Sequence, residues 1–101
     1  MVGGSALQIR FYVDAETGLA HVRDHGVQES EVEEVLRHPD EDRPGAEGAW
    51  IAIGQTEAGR YLRVVYVPEP ERDGVFVITA YEFWGKPLLA FRRRRRRRHE
   101  R

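Results

Sequence analysis

The groups in this chain able to move protons or hold phosphate sit at the edges of its apolar stretches. His21 and His25 stand four apart in HVRDH. Arg60 and Arg63 open RYLRVVYV, Tyr66 falls inside it, and Tyr81 and Glu82 close VFVITAYEF. Metal-free cleavage of RNA needs a base for the 2′-hydroxyl, an acid for the leaving oxygen and cations against the phosphorane. His21, His25, Tyr66, Tyr81 and Glu82 can exchange protons, and Arg60 and Arg63 can supply the charge. The two histidines could also share a helix face and take a metal with Asp24 or a distant acid, but a histidine pair alone falls short of a full ligand set. No metal and no cofactor is therefore expected. There is no phosphate-binding glycine loop. Without a single cysteine, disulfide and thiolate chemistry are excluded.

A second group of cations is concentrated at one end. Arg92, Arg93, Arg94, Arg95, Arg96, Arg97 and Arg98 run without interruption. Formal net charge is only −1 over 101 residues, but residues 92–101 hold 8 of the 16 basic side chains and 1 of the 17 acidic ones. An acidic body of −8 thus carries a basic tail of +7. Guanidinium binds phosphate bidentately, so the run reads as a nucleic-acid contact. Seven phosphate contacts would give a log–log salt slope of roughly −6 on duplex DNA and about −5 on a single strand. No aromatic residue is interleaved, so binding would be tolerant of sequence. As a helix the run sets like charges four residues apart, each pair costing on the order of 0.2–0.5 kcal/mol, and it should fray unless an anion compensates. Residues 29–47 offer eight acids against two arginines. The tail could therefore fold back on its own body, or join two copies through acidic helix and basic tail; otherwise it is solvated.

The elements that must position these groups follow from pattern. Leu7–Val13 mixes β-branched and aromatic residues and reads as a strand. A short helix from Asp14 or Thr17 would bury Leu19 and Val22 and stop at Gly26. Val32, Val35 and Leu36 form a helical stripe behind Glu29, Glu31, Glu33 and Glu34, with Pro39 as the stop. Residues 39–48 read as a polar loop. Three strands follow over 49–56, 60–67 and 75–83, joined by short turns that favour an antiparallel meander. Strand alternation places Arg60 with Leu62, Val64 and Tyr66, and Arg63 with Tyr61, Val65 and Val67, on opposite faces. It groups Tyr81 with Val75, Val77 and Thr79, and Glu82 with Phe76, Ile78 and Ala80. Pro87 would open a last helix docked by Leu88, Leu89 and Phe91. The fold class is α+β, in the order β-α-α-β-β-β-α: a single domain over 1–91 and an arginine-rich tail over 92–101. No apolar run is long enough to span a bilayer and no leader pattern opens the chain, so a soluble cytoplasmic protein without a membrane partner is expected.

HGVQESEVEEVLRHP, IAIGQTEAGRYLRVVYV and VFVITAYE, followed by an arginine-rich helix, resemble the BrnT-like branch of the RelE/ParE toxin superfamily, from about Phe11 onward. The resemblance implies a compact α+β toxin with a small antiparallel sheet, one half of a type II toxin–antitoxin module. It implies a ribonuclease that blocks translation by cutting RNA, free or ribosome-associated, and a small antitoxin protein as partner. The family's histidine before glycine falls on His25, and the arginine of its GR turn on Arg60. Tyr81 stands where such toxins place an arginine, and the body is acidic where theirs is basic, so here either the tail would supply the RNA affinity or the chain would be a non-catalytic module that binds nucleic acid through its tail without cleaving. The expected site is His25, Arg60, Arg63, Tyr81 and Glu82 for chemistry, with the seven arginines for binding.

Overall fold

Val32, Val35 and Leu36 all lie buried on the inner side of helix α1, Glu29–Arg37. At its start the Gln28 backbone N–H donates to the Glu31 carboxylate at 3.0 Å, and the Glu31 N–H donates back to the Gln28 carbonyl at 3.0 Å. The chain is seen in a computed structural model that describes residues 7–99, the side chains through Arg98. Residues 1–6, and Glu100 and Arg101 of the expected tail, lie outside the described residues.

The architecture is α+β, a five-stranded mixed sheet with two helices. The strands are β1 (Gln8–Phe11), β2 (Glu41–Pro44), β3 (Trp50–Gln55), β4 (Tyr61–Glu69) and β5 (Gly74–Glu82), in spatial order β1-β5-β4-β3-β2. Helix α2 spans Gly85–His99, and short 3₁₀ turns occupy His21–His25 and Pro70–Arg72. Alternation along β3 and β4 splits the core. Ala52, Leu62, Val64 and Tyr66 pack with the α1 stripe on one face, while Ile53, Phe83 and Phe91 cluster with Ile51, Tyr61 and Leu88 on the other. The second cluster docks α2. Phe91 is fully buried, with its ring edge-on to Tyr61 at 5.8 Å and to Phe83 at 5.9 Å.

Several expectations need correction. The sheet is mixed, because β1 lies parallel to β5 on its outer edge; alternating hydrophobicity encodes which face is buried but not the direction of the neighbour. Gly74 is required there, since the Gln8 carbonyl lies against the position a side chain would take. The loop over 39–48 contains β2, a charged edge strand antiparallel to β3. Its acids have partners: the Tyr66 hydroxyl donates to Asp42 at 2.6 Å. Burial first, and that hydrogen bond second, hold the Tyr66 phenol well above its ordinary pKa. Leu19 is exposed, because the Asp14 N–H bonds the Leu19 carbonyl and a bridge pairs Val13 with Ala20, making residues 14–19 a turn rather than a helix. The 3₁₀ turn starts only at His21 and ends, as expected, at Gly26, which takes the left-handed conformation. Leu89 is also exposed; Phe91 and Leu88 do the docking. Finally, β5 changes face. Thr79 pairs with Val65 but Val77 with Tyr66, so Ile78 is an extra residue, and Val75, Val77 and Ala80 share the buried face. The grouping of Tyr81 with Val77, and of Glu82 with Ile78, fails at that bulge.

Candidate nucleic-acid interface

The arginine run is helical throughout, as part of α2. Helical spacing places Phe91, Arg94, Arg95 and Arg98 in one stripe toward the body. Arg94 forks onto Glu41, Nε donating at 2.7 Å and Nη2 at 3.0 Å. Arg98 donates to the same carboxylate at 3.1 Å, and Arg43 at 2.8 Å from the strand itself. Arg95 approaches Asp40 at 3.9 Å and donates to Gln55 at 3.4 Å. Burial alone would push the Glu41 carboxyl up. The guanidiniums of Arg94, Arg98 and Arg43 outweigh it and hold Glu41 below the ordinary carboxylate value. The hydrogen bond to Glu41 in turn raises Arg94. The compensating anion that the run requires is thus part of the same chain.

The other four arginines stand outside this ion-pair network. Arg92, Arg93, Arg96 and Arg97 are exposed and have no carboxylate partner among the described residues. Arg92 lies over the Tyr61 ring, 5.9 Å from its centroid. Tyr61, Arg92, Arg95 and Arg96 line an open recess of about 360 Å³ at the junction of helix and sheet. The sequence separates Tyr61 from the run by thirty positions, and only the docking of Phe91 brings them together.

The expected chemical residues gather at the end of the sheet where β4 begins and β5 finishes. Arg63 pairs in register with Tyr81, and Leu62 with Glu82. His25 meets Tyr81 edge-on at 6.2 Å and His21 at 5.2 Å. Arg60 and Arg63 lie on opposite faces, as alternation requires. Arg60 is engaged: Nη1 donates to Glu31 at 2.8 and 2.9 Å, and Nε donates to Glu82 at 3.1 Å. Burial lowers its affinity for the proton, but Glu82 and Glu31 more than reverse this and raise it overall. Arg63 has its Nε buried without a hydrogen-bond partner, as is the Thr79 hydroxyl two pairs further along the ladder. Sequence reasoning missed Glu31 and Glu41. Both stood in plain view as acids, but pattern alone says nothing of which cation each would meet.

A third cluster lies beside His25. The His21 Nδ1 is 3.2 Å from both carboxylate oxygens of Asp14 and 3.3 Å from Asp24 Oδ2. Contact with Asp24 first, and His21 second, hold Asp14 below the usual carboxylate range, while contact with Asp14 pushes Asp24 above it.

Residues 18–82 match the family described as domain of unknown function DUF4258. The chain belongs to that family. No curated protein and no solved structure matches it. The matched part of this DUF4258 protein runs from the turn before His21 to the end of β5 and so contains His25, Arg60, Arg63, Tyr81 and Glu82. Helix α2 and Asp14 fall outside it. Among the described residues, no helix of the DUF4258 protein is long and apolar enough to cross a membrane.

Proposed function

We propose that this DUF4258 protein is an RNA-binding module that grips phosphodiester backbone with the outer face of α2. One observation carries the reading: Arg92, Arg93, Arg96 and Arg97 are displayed together on a helix whose opposite stripe is paired with Asp40 and Glu41. The acids that could have silenced the run engage only its inner stripe. Tyr61 lies beside Arg92 and lines the same recess. RNA rather than DNA is favoured by the likeness to BrnT-like toxins of the RelE/ParE superfamily. Fluorescence anisotropy with a labelled single-stranded RNA tests it. Replacing Arg92, Arg93, Arg96 and Arg97 by Gln should weaken binding at least about tenfold at moderate salt. Replacing Arg37 and Arg72, exposed on the body, should leave it unchanged. Equal loss from both variants would refute an α2 interface.

A second reading is a toxin-like, metal-independent endoribonuclease held in check by a small antitoxin. It is favoured by the convergence of His25, Tyr81, Glu82, Arg60 and Arg63 at one end of the sheet. In this reading His25 and Tyr81 exchange protons, and Arg63, or Arg60 once released from its carboxylates, faces the phosphate. The same RNA run on a denaturing gel separates the two. Binding without a cleavage product supports the module alone, and a product lost in His25→Ala supports the enzyme.

A further inference from the structure

We propose that Asp14, His21 and Asp24 form a binding site for a divalent transition metal, filled by Zn²⁺. The sequence offered His21 and His25 four apart with Asp24 or a distant acid, a set short of an established ligand count. The fold changes the donor count by a route that spacing does not show. The turn over residues 14–19, closed by the Asp14–Leu19 hydrogen bond and the Val13–Ala20 bridge, brings the Asp14 carboxylate back onto the His21 ring. The 3₁₀ turn then adds Asp24 from three residues on. One donor atom from each residue lies within 4.8 Å of the others.

The distances suit the ion. A tetrahedron with Zn–N and Zn–O bonds of about 2.0–2.1 Å has edges of about 3.3–3.4 Å. Two of the three edges, those at His21 Nδ1, measure 3.2 and 3.3 Å, and the Asp14–Asp24 edge lies within 4.8 Å. An imidazole with two carboxylates also suits zinc better than calcium or magnesium, which favour oxygen alone. Charge points the same way. The other convergent acids, Glu31 and Glu82, meet at Arg60, and the single acids Glu41, Glu69 and Glu29 pair with Arg94, Arg10 and Arg23. Asp14 and Asp24 converge with no arginine or lysine partner among the described residues. Two carboxylates brought together in a chain so rich in arginine, with only a histidine between them, leave the place of the cation to an ion. Three protein donors leave a fourth position for water or an anionic ligand. Bound there, the ion would tie the 14–19 turn to the 3₁₀ turn and so fix His25 against Tyr81.

The test uses the full chain, stripped with a chelator and titrated with Zn²⁺ by calorimetry, with the imidazole signals followed by NMR. We expect one Zn²⁺ per chain, perturbation of His21 through Nδ1, and no response to Mg²⁺ at the same concentration. Asp14→Asn and Asp24→Asn should each weaken uptake at least about tenfold. Circular dichroism of both variants checks the fold, and the wild-type NMR signals decide the matter even if a variant does not fold. No uptake by the wild type, uptake that leaves His21 unperturbed, or uptake undiminished in a folded Asp14→Asn, Asp24→Asn double variant would each overturn the proposal.

Discussion

Arg60 shows how a side chain suited to phosphate can be claimed by its own fold. Its guanidinium bridges Glu31 on α1 and Glu82 at the end of β5, so it ties helix to sheet across the boundary of the core. Arg60→Ala leaves two carboxylates facing each other without a cation. With the pair partly open to solvent, the loss should be about 1–2 kcal/mol in urea unfolding. A second change, Glu31→Gln, should restore part of it. If Arg60→Ala leaves stability untouched but abolishes RNA binding, the structural role assigned here is wrong. The residue types at this end of the sheet were legible, because histidine, tyrosine and arginine are conspicuous at the margins of apolar strands. Their engagement was not. Nothing in GRYLR announces that Glu31, on another element, takes the guanidinium.

Among the elements, α2 is the one whose last turns lean most on one carboxylate, Glu41. Fifteen residues of helix carry seven adjacent arginines, and repulsion four residues apart works against the last turns. Glu41 offsets this by accepting from Arg94 and Arg98 at once. Glu41→Gln should therefore fray the helix beyond Phe91, seen as faster amide exchange over 92–98 while β3 and β4 stay protected. Equal exchange in variant and wild type would show that the clamp is idle. The pH dependence has a definite sign. The folded Glu41 titrates below its ordinary value of 4.5, so the clamp contributes fully above that pH and is lost as pH falls through the folded value. The helix end should loosen in acid before the sheet does. Sequence pattern gave helix α1, the three meander strands and the start of α2 closely. It missed β2, whose charged residues look like a loop until Ile53 and Ile51 supply the ladder. It also missed the bulge at Ile78, because alternation has no mark for an inserted residue.

Over the whole molecule, charge is sorted rather than balanced. The acidic body meets the inner stripe of α2 through Asp40 and Glu41, and the outer stripe keeps its field. This division changes the expectation drawn from composition, where all seven arginines counted equally. Four free guanidiniums predict a log–log salt slope of about −3 on single-stranded RNA, against about −5 for seven. The direct test is that slope, measured by anisotropy across a range of salt for the wild type and for the variant with Gln at 92, 93, 96 and 97. A wild-type slope near −3 that collapses in the variant is the predicted result. A slope that stays the same in both, or that sits near zero in the wild type, would contradict an interface on α2.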